Sequence, residues 1–151
     1  MKAMSEILDA PSISREATAT ELSLAIGQLV RRLRTEANPG ELSWSQIAAL
    51  ARLDKADGMT TAELARAERV KPQSMGTTLS DLEQAGLVQR RPHPSDGRQV
   101  LFALTPEGLE ARRQRNIAKR AWLLDAMAKL DAAEQQTLMS AAALIKRLAE
   151  S

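Results

Sequence analysis

The sequence predicts a mainly α chain with one small β-hairpin, and three observations carry that expectation. Apolar residues recur at helical spacing through most of the 151 residues. Serine, threonine or aspartate stands three residues before Gln or Glu at Ser43/Gln46, Thr60/Glu63 and Asp131/Glu134, the pattern that satisfies the free amides of a helix start. Only around residues 87–104 does the period change to that of strands, on either side of a segment holding two prolines and an Asp-Gly pair.

In chain order, residues 1–13 show no periodicity and contain Pro11, and read as a loose arm. Residues 14–37 form a helix with its stripe at Leu22, Ile26, Leu29 and Leu33, ended by Asn38-Pro39-Gly40. Capped helices follow over 43–55 and, briefly, 60–67. Pro72, favoured at a first helical position, opens a helix to Gln84 with Met75, Leu79 and Leu82 inward and Gly86 as its stop. Residues 87–91 and 99–104 are strand-like, and Asp96-Gly97 between them is a hairpin signal. Thr105-Pro106 begins a long helix to about 128, and a last helix over 131–149 carries a stripe of Leu138, Ala141, Ala142, Ile145 and Leu148.

Composition excludes much chemistry. Hydrophobic residues are 44% and charged residues 26% of the chain, as in ordinary soluble domains. No apolar run is long enough to cross a membrane, and the N-terminus lacks a signal-peptide layout, so a cytoplasmic protein is expected. Without cysteine or tyrosine and with the single histidine His93, the chain lacks the ligands for the usual zinc site and the residues for most nucleophilic catalysis. No enzyme and no cofactor is expected. Residues 66–120 hold eleven Lys/Arg against six Asp/Glu, whereas the rest of the chain is net negative, a distribution suited to a polyanionic partner or to a solvated surface. Aromatic residues at 2% disfavour stacking on single strands, which leaves duplex as the better nucleic-acid partner.

Three short helices followed by a hairpin is the winged helix-turn-helix order, in which the third helix enters the major groove and the hairpin reaches a neighbouring groove. On the helix over 72–84, Gln73, Thr77 and Ser80 point away from the apolar stripe, with Ser74 and Gly76 flanking and Lys71 at the start. Short polar side chains there suit base edges and phosphates, whereas an ordinary solvated face usually carries Glu and Lys. In the hairpin, Arg90, Arg91 and Arg98 gather around the tip, and Asp96 is near enough in sequence to hold the Arg98 guanidinium.

Residues 58–108 resemble the DNA-binding core of the MarR family of bacterial transcription regulators. The carrying segments are Met59-Thr60-Thr61-Ala62-Glu63-Leu64-Ala65, Val70-Lys71-Pro72-Gln73-Ser74-Met75 and Leu82-Glu83-Gln84-Ala85-Gly86-Leu87-Val88. Most specific is Asp96-Gly97-Arg98, followed by an apolar strand and Leu104-Thr105-Pro106-Glu107-Gly108. The resemblance implies a homodimer on a near-palindromic operator of double-stranded DNA, with dimerisation helices over 14–40 and 109–151 around a DNA-binding domain over 41–108. It places Arg98 in the minor groove, positioned by Asp96, and Gln73, Ser74 and Thr77 on the recognition-helix positions. The chain departs from the family pattern in having Gly76-Thr77 where many relatives have Thr-Arg, and Lys71, unable to cap, where many have Ser or Thr. The alternative is a winged domain that binds another protein.

Family members commonly release DNA when an aromatic or phenolic small molecule binds, which implies a possible small aromatic effector here. Trp44 is the candidate ligand-binding residue, with Trp122 beside it as an aromatic available to a cavity, and packing of both in the core or dimer is the competing reading. Arg112, Arg113, Arg115, Lys119 and Arg120 on the long helix suit flanking phosphates, ion pairs across a dimer seam, or plain solvation. His93 reads as a solvent-exposed loop residue or, in acid, as a phosphate contact.

Overall fold

The computed structural model describes residues 13–38 and 40–151; the expected arm, apart from Ile13, lies outside them, as does Pro39. The order is α1 (Arg15–Glu36), α2 (Trp44–Lys55), α3 (Thr61–Glu68), α4 (Pro72–Gln84), β1 (Val88–Pro92), β2 (Val100–Leu104), α5 (Pro106–Met127) and α6 (Ala132–Ala149). Each expected element is present, with ends within two residues of the predicted ones. The chain divides into two compact units, one ending at Thr35 and the other spanning Glu36–Ser151. The first contains nearly all of α1, which buries no residue and leaves Leu24, Ile26, Leu29 and Val30 exposed.

The second unit is built around α2–α4 and the hairpin. The local chemistry of the caps explains where the helices begin. Ser43 Oγ accepts from the Gln46 amide at 3.2 Å while Gln46 Oε1 accepts from the Ser43 amide at 2.8 Å, and Thr60/Glu63 and Asp131/Glu134 repeat the exchange. Each such cap contributes about 1 kcal/mol. The apolar stripes then meet. Leu50, Leu64, Leu79 and Leu82 are fully enclosed, with Met75, Leu53, Val88 and Phe102 around them. At about 1.5–3 kcal/mol for each large apolar side chain withdrawn from water, this cluster dominates the stability of the unit.

The hairpin pairs β1 and β2 antiparallel, with Val88 opposite Leu104, Arg90 opposite Phe102 and Pro92 opposite Val100. Met59 adds a single bridge to Phe102, its amide donating to the Phe102 carbonyl at 3.0 Å and its carbonyl accepting at 2.8 Å. This seam ties the start of α3 to the hairpin, and nothing in the sequence pattern around Met59 announces it.

The junction into α5 is close. The Thr105 hydroxyl donates to the Gly86 carbonyl at 2.6 Å and accepts from the Gly108 amide at 3.0 Å, and the Thr105 amide donates to the Leu87 carbonyl at 3.1 Å. A Cβ on Gly108 would stand 2.1 Å from the Leu87 carbonyl oxygen, so only glycine admits this approach. Gly86 itself adopts φ +75°, the left-handed conformation that ends α4. Within this unit α6 buries no residue, and Leu138, Met139, Leu144 and Leu148 stand exposed.

Candidate nucleic-acid interface

Burial of Met75, Leu79 and Leu82 fixes the rotation of α4 and turns Gln73, Ser74, Thr77 and Ser80 outward, with Gly76 half-buried at the edge of that face. Lys71 occupies the N-cap with no side-chain cap bond, and Pro72 contributes no amide, so the first turn keeps donors open to an anion. The Thr77 hydroxyl donates to the Gln73 carbonyl at 3.2 Å and Thr78 does the same to Ser74. With its proton committed along the helix, Thr77 offers a methyl group and oxygen lone pairs outward, while Gln73 keeps both donors and an acceptor.

The hairpin arginines have separate roles, which corrects the expectation that all three gather at the tip. Arg90 and Arg91 lie on β1. Arg90 Nε bonds Glu83 Oε2 on α4 at 2.9 Å and its guanidinium lies 5.4 Å from the centre of the Phe102 ring. Arg91 Nη2 bonds Asp57 Oδ1 at 3.0 Å. Both pairs are open to solvent and brace the hairpin rather than add much stability, since exposed pairs contribute about 0–1 kcal/mol. Arg98 lies in the loop over residues 93–99, exposed, with no side-chain hydrogen bond or ion pair to any described residue.

Asp96 also acts differently from expectation. Its Oδ1 accepts the Arg98 backbone amide at 3.1 Å and forms no ion pair with the guanidinium. The carboxylate therefore shapes the backbone that carries Arg98 and leaves the side chain unpaired. Gly97 is not in the left-handed region, so the loop is not the tight Asp-Gly turn the sequence suggests. His93, read as a solvent-exposed residue, is half-buried and accepts backbone amides through Nδ1.

On α5 the basic run is partly structural. Arg112, which keeps only 17% of its side-chain surface exposed, reaches Asp54 Oδ2 on α2 at 3.3 Å, and Arg115 Nη1 donates to the Ala37 carbonyl at 3.2 Å. Arg113 pairs with Glu110 one turn back at 3.0 Å. Hydrogen bonds from Arg113 and then Gln114 hold the Glu110 carboxyl down at about 2. Lys119 and Arg120 are exposed.

Trp44 stands half-exposed at the start of α2, on the rim of a cleft of about 130 Å³ that Glu68, Val70, Ser74, Met75 and Thr78 also line. Trp122 is half-buried on α5. Among the described residues no cluster of His, Asp or Glu has the makings of a metal site, and no helix is long and apolar enough to cross a membrane.

An α3–α4 pair with a polar outward helix, followed by a hairpin with an unpaired arginine in its loop, defines a winged helix-turn-helix protein. Comparison with known proteins places it further. The family model described as MarR family matches residues 42–100. An HTH-type transcriptional regulator of Mycobacterium bovis is 39% identical over 132 residues, 87% of this chain and 92% of that protein. A second M. bovis protein, an HTH-type transcriptional repressor, is 34% identical over 99 residues, 66% of this chain and 71% of that one. The crystal structure of a proposed transcriptional regulator from Pseudomonas aeruginosa superposes with a TM-score of 0.82 at 31% identity, covering 92% of this chain and 99% of the other. The chain belongs to the MarR family: it is a transcriptional regulator with a helix-turn-helix DNA-binding fold, and not an enzyme.

Proposed function

We propose that this regulator is a cytoplasmic, homodimeric repressor of a near-palindromic double-stranded operator, relieved by a small aromatic effector. In this reading residues 41–108 are the DNA-binding domain, with Gln73, Ser74 and Thr77 at base edges, Gly76 permitting close approach, and Lys71 on a phosphate. Arg98 enters a neighbouring minor groove on the backbone that Asp96 holds, and Arg90 and Arg91 brace the hairpin behind it. Residues 14–40 and 109–151 are the dimerisation segments, which the exposed apolar side chains of α1 and α6 support. The name of the second M. bovis relative supports repression.

The observation that carries this reading is a contrast in pairing. Lys71 at the start of α4 and Arg98 in the wing loop form no ion pair among the described residues, while Arg90 and Arg91 are each tied to a carboxylate. Unpaired cations can neutralise phosphates, and an uncharged polar face can read bases. The cleft beside Trp44 is comparable to the roughly 150 Å³ that accepts a benzene ring, and Ser74 and Thr78 of α4 are among its lining residues.

A gel-shift titration on the intergenic DNA beside the protein's own gene, with scrambled competitor at two salt concentrations, tests the reading. Competitor-resistant binding with a steep salt slope is expected, and Arg98→Ala should weaken it by roughly tenfold to a hundredfold without changing thermal stability. Unchanged binding by Arg98→Ala would remove the wing from the interface. Equal, weak binding to all duplexes, including those selected from a random pool, would favour a protein partner instead. Quenching of Trp44 fluorescence in a Trp122→Phe background by phenols and aromatic acids tests the effector cleft.

A further inference from the structure

The wing loop over residues 93–99 is organised around a ring nitrogen. His93 Nδ1 lies 3.2 Å from the Ser95 amide and 3.1 Å from the Asp96 amide, with the Ser95 hydroxyl at 3.3 Å. Backbone amides only donate, so Nδ1 bears a lone pair and the ring proton sits on Nε2. The His93 amide donates to the Gln99 carbonyl at 3.4 Å, and the Gln99 amide donates to the Asp96 carbonyl at 3.1 Å, closing the loop from its other limb. An Asp or Asn side chain commonly makes this kind of turn with its oxygen; here an imidazole nitrogen does so. Asp96, held by its own amide, then accepts the Arg98 amide. A single relay runs from the imidazole to the backbone of Arg98.

We propose that His93 is a positioning residue of the wing and makes DNA binding proton-sensitive: the neutral imidazole holds the loop that presents Arg98, and the imidazolium releases it. The inference rests on the reading of Arg98 as a DNA contact. An imidazolium carries N–H on both nitrogens, so it has no lone pair for the Ser95 and Asp96 amides. The charged groups around the loop are Asp96 and Arg98 within it, and Arg90 and Arg91 on β1, paired to Glu83 and Asp57. From α3, Glu63 and Arg66 line the cleft bordered by Gln99 and Val100. Asp96 attracts an imidazolium and the arginines repel it, yet neither restores the lost acceptor. Positioning is therefore complete with the neutral ring and is lost on its protonation, so affinity falls in acid. A histidine that contacts phosphate has the opposite sign, because phosphate favours the imidazolium.

The test is an anisotropy titration of wild type, His93→Asn, His93→Gln and Arg98→Ala on the duplex that the wild-type protein selects from a random-sequence pool, between about pH 8 and about pH 5.5. Asn places Oδ1 where Nδ1 stands and does not titrate; the Gln amide reaches only the position of Nε2. Wild type should lose roughly fivefold to tenfold affinity relative to His93→Asn across this range, the scale of one to two hydrogen bonds. His93→Asn should match wild type at the upper pH, and His93→Gln should bind at all pH values as acid wild type does. The Ser95 and Asp96 amides should lose protection, relative to the intrinsic exchange rate at each pH, in acid in wild type and not in His93→Asn. A ratio of wild type to His93→Asn that stays flat, or that rises in acid, overturns the inference while the wing contact stands. Arg98→Ala binding as tightly as wild type overturns the wing contact itself and the proposed relay with it.

Discussion

The winged region and the last helix are drawn from similar residues, yet they complete themselves in different ways. Leu79 of α4 is 0% exposed, while Leu144 of α6, next to Ile145 of an equally regular apolar stripe, is 56% exposed. The difference is in what each stripe meets. Leu79 faces α2, α3 and the hairpin within its own chain, and four leucines of that cluster are sealed by one another. In α6 the pattern and the cap are as good, with Asp131 and Glu134 exchanging bonds at 2.8 and 2.9 Å, but no residue is buried. An amphipathic stripe specifies that a helix needs a partner surface and does not say which molecule supplies it.

The strongest test of this contrast removes a leucine from each region. Leu79→Ala leaves a cavity in a closed core and should cost about 3 kcal/mol, read from urea denaturation followed by circular dichroism. Leu144→Glu should leave the midpoint of that transition almost unmoved and instead shift sedimentation toward monomer, weakening self-association by about 2 kcal/mol. If Leu144→Glu unfolds the winged region as Leu79→Ala does, the two regions are one cooperative core and the contrast fails. Thr60→Ala probes a smaller effect inside the closed region: it removes the acceptor for the Glu63 amide and should lower stability by about 1 kcal/mol.

The smallest effect concerns α5. The Glu110 carboxyl is lowered from its usual 4.5 to about 2 by Arg113 and then Gln114. A depressed carboxyl supports folding above its unfolded value and loses that support as pH falls from 4.5 toward about 2. Because the group is fully in water, Glu110→Gln should leave the denaturation curve at neutral pH unchanged within error, and added salt should not separate the two proteins. A resolvable difference would mean that α5 is packed against something in solution.

Helix starts were legible because a cap is settled within four residues: Ser43, Thr60 and Asp131 each carry their own partner at the third position on. The rotation of α4 was legible for the same local reason, the spacing of Met75, Leu79 and Leu82. What the sequence hid depends on residues brought together by folding. Nothing near Arg91 indicates Asp57, nor does anything near Arg112 indicate Asp54, so Arg90, Arg91 and Arg98 look alike until the fold pairs two of them. Asp96 is local to Arg98, but whether it holds the guanidinium or the amide depends on the course of the loop, which His93 sets.

The bonds of Thr105 to Gly86 and Leu87, with Gly108 pressed against the Leu87 carbonyl, make the base of α5 a rigid joint with the end of α4. A helix of 22 residues is about 33 Å long, so a tilt of about ten degrees at that joint displaces its far end by about 6 Å. Read in reverse, α5 is a lever whose short arm ends beside the C-terminus of α4: a displacement of several ångströms at Met127 arrives at Gly86 as a change of angle with little translation. Thr105→Val would loosen the pivot while leaving both arms intact.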